Sequence, residues 1–230
     1  MVYRAFTICI FYTLSLISVG SANADIVNFV LDATQSHVDV TVAGVGPDRS
    51  QTSGTGALFL TPSTPPFGVA QITDLDIVLD DALFFSLFAG LVTATTTAGD
   101  VTVELVTPGA PGTVSSSQFD QTGNSMRLGG SVVIDDDNGI VGGDQTLDLS
   151  TLADSVVDFN AVTLSRTGDV VTISGTYDIA QSIDAGNGTS VPIVIAGVFV
   201  ASGVVMVPEP SGMVVLLATF GIVVGRRRRS

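Results

Sequence analysis

The stretch Asp169–Ile179, DVVTISGTYDI, decides the fold class. Its apolar side chains occupy alternate positions from Val171 to Ile179, and Thr, Ser and Asp side chains lie between them. A period of two residues is typical of a β-strand that buries one face and exposes the other. The stretch therefore predicts a half-buried strand, with Tyr177 on the face that points into the core.

The same alternation appears in other parts of the chain. His37–Val42 places three valines opposite His37, Asp39 and Thr41, and Asp100–Val106 follows the same rule. Val and Thr are abundant in these runs, as is usual for pleated, half-buried surfaces. These runs predict further strands of an antiparallel, all-β protein.

Turn-forming residues separate the predicted strands. Arg166-Thr-Gly-Asp169 predicts a hairpin between Ala161–Ser165 and Val170–Ile179, and Asp184–Gly188 interrupts the chain before the apolar run Ile193–Val200. Short strands at this spacing, without a long amphipathic helix, predict a single β-sandwich or jelly-roll-like domain over residues 25–206. Asp81–Ala94 is compatible with either a short helix or a strand.

The charge of the chain is uneven. All 22 acidic residues except Glu209 lie within residues 25–207, whereas only three of the eight basic residues do, which gives this part a net charge of −18. Those three are Arg49, Arg127 and Arg166. Nucleic acids are bound through Lys and Arg contacts to phosphates, so no nucleic-acid partner is predicted.

Residues for catalysis are scarce. The chain has one histidine, His37, and one cysteine, Cys9, so a Cys-His pair within residues 25–206 is excluded and a Ser-His-Asp triad would need His37. His37 lies on the polar face of its predicted strand, and no nucleophile-elbow motif occurs. We therefore predict that the protein is not an enzyme, with no catalytic residue.

Both ends of the chain carry targeting patterns. Residues 1–24 predict a secretory signal peptide, because Arg4 precedes an apolar run that ends in Ala22-Asn-Ala24, with cleavage between Ala24 and Asp25. Residues 207–230 combine Val207-Pro208-Glu209-Pro210, an apolar segment and a terminal arginine cluster. The apolar segment, 211–225, is about 22 Å long as a helix, so it would be a short transmembrane helix. The basic end predicts a cytoplasmic stop, formed by Arg226, Arg227, Arg228 and Arg229.

This three-part tail resembles the PEP-CTERM sorting signal of Gram-negative bacteria. The resemblance covers the last 24 residues and rests on Pro208, Glu209 and Pro210, the apolar segment and the arginine cluster. It implies recognition and processing by an exosortase at the inner membrane, and delivery to the cell surface or to an exopolysaccharide matrix. It implies nothing about residues 25–206.

One loop has the composition of a metal site. Asp135-Asp-Asp-Asn-Gly139 and the following Gly142-Gly-Asp144 bring oxygen ligands close together on a flexible loop, as Ca²⁺ requires. The candidate ligands are Asp135, Asp137, Asn138 and Asp144. The EF-hand pattern is absent, and a plain turn between Met126–Ile134 and Gln145–Leu149 explains the same residues. Calcium is the only cofactor that the sequence suggests.

The leading interpretation is therefore an exported, non-enzymatic surface or exopolysaccharide-matrix protein. The alternatives are a calcium-assisted polysaccharide-binding module and, third, a secreted hydrolase that uses paired aspartates. The absence of Trp and the predicted inward position of Tyr177 argue against stacking of aromatic side chains on sugars.

Overall fold

The computed structural model describes residues 24–184 and 190–205. This part of the chain is all-β, and none of its helices is long and apolar enough to cross a membrane. Two single-turn 3₁₀ helices, Phe88–Gly90 and Leu149–Thr151, lie among fourteen strands. The strands are β1 Asp25–Leu31, β2 His37–Val42, β3 Val45–Thr61, β4 Val69–Leu79, β5 Phe84–Leu87, β6 Val92–Thr95, β7 Thr102–Thr107, β8 Gly112–Thr113, β9 Gln118–Gly129, β10 Ser131–Asp135, β11 Gln145–Asp148, β12 Ser155–Thr167, β13 Val170–Asp184 and β14 Ser190–Val204.

Ten of the strands form one antiparallel sheet, in the order β1-β3-β2-β14-β13-β12-β9-β7-β4-β8. Two further pairings, of β1 with β14 and of β3 with β4, connect strands from distant positions in this order. β3 makes this possible because it is 17 residues long, so that its first part pairs with β2 and its second part with β1 and β4. The sheet therefore folds back on itself around a core, which confirms the predicted all-β class and is consistent with a β-sandwich-like domain.

The decisive stretch of the sequence lies in the middle of this core. Val171, Ile173, Tyr177 and Ile179 are buried as predicted, and Tyr177 packs the edge of its ring against Phe159, with 6.3 Å between the ring centroids. Two glycines make room for the aromatic rings. A Cβ at Gly197 would lie 2.1 Å from Cζ of Tyr177, and a Cβ at Gly175 would lie 2.8 Å from Cζ of Phe199.

The predicted boundaries agree with the strands in several places. His37–Val42 is β2, and Arg166–Asp169 contains the turn between β12 and β13. The apolar run Ile193–Val200 belongs to β14, which pairs with β13 along all fifteen of its residues. Asp81–Ala94, for which helix and strand were both open, forms β5, one 3₁₀ turn and most of β6.

A second sheet, in the order β11-β10-β6-β5, packs on the ten-stranded sheet. Its inner row consists of Ile134, Ala94 and Phe85, which are directly opposite one another on neighbouring strands and buried. Between the two sheets lies a wholly apolar cavity of about 60 Å³. Its lining includes Val40, Leu79 and Ile195 from the large sheet and Phe85, Val92 and Ile134 from the small one.

β4 pairs with β7 along one stretch and with β8 along another. Between these two stretches, two buried side-chain amides take the place of a neighbouring strand. The Gln121 side chain accepts from Ile72 N at 2.6 Å and donates to Ile72 O at 2.9 Å, which is the pattern of a neighbouring backbone strand. Asn124 accepts from Gly109 N and from Gln121 and donates to Val157 O. Nothing in the alternation of the sequence predicts this network, since both residues are polar and both are buried.

The predicted targeting segments fall mostly outside this region. Ala24 and Asp25, the predicted cleavage site, are the first described residues, and Asp25 begins β1. Residues 1–23 of the predicted signal peptide lie outside the described residues, as does the whole predicted sorting signal, 207–230. The latter includes Pro208, Glu209 and Pro210 and the four terminal arginines.

Candidate metal centre

The candidate ligands lie on the loop that joins β10 to β11. These two strands form an antiparallel hairpin in which Ile134 faces Gln145, so the loop spans 136–144. The turn expected from the Asp-Asn-Gly sequence is confirmed, although the strand before it is shorter than predicted. Gly130, with φ +91°, separates β9 from β10, and the two strands belong to different sheets.

Asp136 organises the loop from within. Its side chain is 2% exposed, and its carboxylate accepts from the backbone N–H groups of Ile140 at 2.9 Å, Val141 at 2.7 Å and Gly143 at 3.0 Å. Burial by itself would raise the pKa of Asp136, but these N–H groups and that of Asn138 outweigh burial, so the pKa lies below its ordinary value. Asp136 is therefore an anion held in place by the loop backbone.

This arrangement turns the neighbouring carboxylates outward. Side chains alternate along an extended chain, so Ile134 and Asp136 point inward while Asp135 and Asp137 point to solvent. Asp144 approaches from the other side of the loop, where its Oδ1 accepts from Asp136 N at 2.8 Å. One carboxylate oxygen from each of Asp135, Asp137 and Asp144 lies within 4.8 Å of the other two.

The structure thus brings together three of the four predicted ligands. Asn138 is exposed on the same loop, and the contact shown for it is made by its backbone N–H, which donates to Asp136. Three convergent carboxylates suit a hard divalent cation, and Ca²⁺ takes six to eight oxygens, so water or loop carbonyls would have to supply the rest. The exposure of all three side chains is typical of a weak site.

Asp136 was missed by sequence reasoning. Ser131–Asp135 reads SVVID, with three consecutive apolar residues, so no period of two in the sequence shows on which side of the chain position 136 lies. A buried aspartate in a glycine-containing loop needs backbone donors, and the N–H groups of the loop provide them.

The one histidine lies near an aspartate that already forms an ion pair. His37 is half-buried on β2, opposite Gln51 of β3 and Val198 of β14. The nearby Asp39 binds Arg49 through two hydrogen bonds of 2.7 Å, and this pairing lowers the pKa of Asp39. Asp39 is therefore occupied by an ion pair.

No protein-family model matches the chain, and no curated protein matches its sequence. Function must therefore be argued from the residues themselves.

Proposed function

We propose that the protein is an exported, non-enzymatic component of the cell surface or of an exopolysaccharide matrix, sorted through its C-terminal tail. The observation that carries the proposal is the order of Pro208-Glu209-Pro210, a short apolar segment and Arg226–Arg229 at the end of the chain. An exosortase and the inner membrane are the partners that the tail implies. The predicted signal peptide supplies export, and residues 211–225 supply a single span.

The acidic part of the chain, residues 25–207, is called the body here, and its properties agree with this role. Its high negative charge favours solubility in salty surroundings, and a cysteine-free core needs no oxidising compartment to fold. The strand β14 ends at Val204, so only a few residues separate the β domain from the proposed recognition motif.

The experiment is expression of the full chain in a Gram-negative host with and without an exosortase. Mass spectrometry of the protein from the envelope and the medium is expected to show an N-terminus at Asp25 and, only with the exosortase, a C-terminus near Pro208. Glu209→Ala should leave the tail attached, whereas Glu104→Ala, which changes the chain's other glutamate, should be processed normally. Identical C-termini in both hosts would refute sorting by an exosortase.

A second candidate function is calcium-assisted polysaccharide binding. The observation that favours it is the convergence of Asp135, Asp137 and Asp144 at the edge of the small sheet. Asp135 is in register with Thr93 and Ser86 on the outer face of that sheet, so sugar hydroxyls would find hydroxyl groups beside a bound cation. Phe84 is 58% exposed on the same face and offers an aromatic ring.

This second function is tested by calorimetry of calcium binding, followed by a glycan array with and without calcium. Asp137→Ala is expected to abolish calcium binding and the calcium-dependent rise in melting temperature. Asp178→Ala is the matched control, because it removes an exposed aspartate from β13, which belongs to the other sheet. A melting temperature unchanged by millimolar calcium would exclude the site.

A further inference from the structure

One part of the outer surface carries no charge, although the body as a whole is strongly acidic. It extends over five neighbouring strands, β12, β13, β14, β1 and β3, which are paired in that order. We name it the neutral face. Its outward-pointing residues are Thr163, Ser165, Thr167, Val170, Thr172, Ser174, Thr176, Val198, Val200, Ser202, Val204, Ile26, Asn28, Val30, Thr55, Ala57 and Phe59.

The register of the strands makes these residues a continuous surface. One row runs from Ser165 through Thr172, Ser202 and Val30 to Thr55, each directly opposite the next on the neighbouring strand. Such neighbours lie about 5 Å apart on one face of a sheet. The row therefore crosses the whole neutral face without a charged side chain.

The neutral face is also unusually apolar for an exposed surface. Ile26, Val30 and Val204 are each 61% exposed, and Val170 is 42% exposed. Aliphatic side chains grouped in this way on a soluble domain mark interaction surfaces more often than singly exposed ones do.

Carboxylates surround the neutral face. Asp74 and Asp76 follow on β4, in register with Ala57 and Thr55. Asp169 lies in the turn before β13, and Asp178 lies on β13 two residues beyond Thr176. Asp32 follows β1, and its N–H donates to Val200 O at 2.7 Å, so a carboxylate also borders the neutral face beside Val200. Two copies of a body with a net charge of −18 repel one another in most orientations, and the repulsion is smallest where the neutral faces meet.

We propose that the neutral face binds the neutral face of a second copy of this chain. The contact would be isologous, with its two-fold axis along the row from Ser165 to Thr55, so that each residue of this row faces the same residue of the other copy. The proposal goes beyond sorting, since it uses only residues of the β domain. A matrix component that pairs through one face would cross-link the molecules that are bound to its other surfaces.

Other partners fit the neutral face less well. Phosphate groups of a lipid or nucleic acid need cations, and no Lys or Arg points outward from it. A neutral sugar chain is usually held by exposed aromatic rings, and the one ring here, that of Phe59, is half-buried. A second copy needs only complementary uncharged surface.

The area predicts a weak contact. The neutral face takes five to seven residues from each of five strands, which lie about 4.8 Å apart with a rise of about 3.3 Å a residue, so it covers roughly 450 Å² per copy. A total of about 900 Å² is below the usual size of a stable specific interface and in the range of transient complexes. Self-association is therefore expected to depend on local concentration, which is high for a protein confined to a surface.

The test is site-directed cross-linking of the full chain, purified in a mild detergent. Cys9→Ser removes the only thiol, so one introduced cysteine reports one position. Ser165→Cys lies on the neutral face, and Val156→Cys on the same strand lies outside it at a site 80% exposed. With a short bismaleimide, Ser165→Cys is expected to give at least about five times more covalent dimer than Val156→Cys.

Charge placed on the neutral face provides the decisive comparison. Val30→Asp should reduce dimer formation at Ser165→Cys by at least about tenfold, because two like charges would then be buried against each other. Val30→Thr should leave it unchanged, and labelling with a monofunctional maleimide checks that the thiol is equally reactive in all variants. Thr55→Asp replaces Val30→Asp if circular dichroism shows that the latter is unfolded.

Salt gives an independent readout. Raising NaCl from 10 to 150 mM shortens the Debye length from about 30 to about 8 Å, so the repulsion between the acidic bodies falls and the dimer yield should rise. Equal yields of covalent dimer at Ser165→Cys and Val156→Cys would overturn the proposal. A dimer yield that neither Val30→Asp nor Thr55→Asp reduces would also overturn it. Any association would then be assigned to the apolar termini. A yield that falls with salt would overturn it in favour of an ionic contact.

Discussion

Tyr177 carries a hydroxyl group that the core does not satisfy. Its ring is 2% exposed, and among residues 24–184 and 190–205 its Oη is the one buried side-chain polar atom without a hydrogen-bond partner. A buried, unpaired hydroxyl costs about 1–3 kcal/mol of folding free energy, whereas loss of one oxygen leaves only a small void. Tyr177→Phe is therefore expected to raise the free energy of unfolding by about 1–2 kcal/mol.

The expected change is large enough to measure by heat or by denaturant. For a domain of this size, 1 kcal/mol shifts the melting temperature by about 2–4 °C, so Tyr177→Phe should melt roughly 2–8 °C higher. Tyr177→Leu serves as the contrast. It also removes the hydroxyl, but it loses the edge-on contact with Phe159 and leaves a cavity, so it should melt below the wild type.

Alkaline pH isolates the contribution of the hydroxyl. Burial raises the pKa of Tyr177 above its ordinary value of about 10, so between the two values only the unfolded chain releases this proton. The stability that depends on this group is complete below pH 10 and falls as the pH rises, by about 1.4 kcal/mol per pH unit. Tyr177→Phe lacks this proton, so its advantage over the wild type should grow between pH 10 and 11.

The measurement is urea unfolding of both proteins at pH 8, 10 and 11, followed by circular dichroism. The reasoning is refuted if Tyr177→Phe is less stable than the wild type at pH 8, or if the difference stays constant up to pH 11. The first result would mean that the hydroxyl has a partner, such as a buried water molecule. The second would mean that the folded protein releases this proton as readily as the unfolded chain does. Gly197→Ala should unfold both backgrounds, because its Cβ meets ring carbons that Tyr and Phe share.

Three further predictions concern the buried amide, the loop carboxylate and the cavity. Gln121→Leu should lower the free energy of unfolding by about 2–4 kcal/mol in urea, since it leaves backbone groups of β4 unpaired, whereas Gln118→Leu at an exposed position of β9 should change it little. The lowered pKa of Asp136 adds stability that is present above the ordinary value of 3.8 and is lost as the pH falls below it, so acid melting curves of Asp136→Asn should depend less on pH than those of the wild type. Ala94→Val adds two methyl-sized groups beside a cavity of about 60 Å³ and should raise the melting temperature by a few degrees, at about 0.8 kcal/mol per buried carbon; a lower melting temperature would show that the cavity cannot accommodate them.

The strands could be predicted because a strand that buries one face has apolar residues at every second position of its sequence. β2 and the hairpin of β12 and β13 lie where the alternation and the turn residues place them. The secondary structure of Asp81–Ala94 could not be predicted, because its apolar spacing suits a helix while its content of Phe and Thr suits strands. Pairing of β6 with β10 and burial of Phe85 between the two sheets favour the strands.

The candidate site also could be predicted from the sequence only in part. Composition alone indicated the loop and the oxygen ligands Asp135, Asp137 and Asp144. It did not indicate that Asp136 would be buried and would fix the loop, because that depends on which N–H groups the folded loop leaves unpaired. The proposed exosortase signal is a property of sequence, since an extended motif and a short apolar segment would need no tertiary fold to be recognised.

By itself the sequence determined the fold class, the acidic character of the body and the proposed destination of the protein. These follow from local periodicity, from composition and from a contiguous tail. Only the tertiary structure decided that β3 pairs with three strands, that Gln121 completes the backbone pairing of β4 and that uncharged residues from five strands share one face. These features join residues far apart in the chain, and the register that joins them is set by packing across the core.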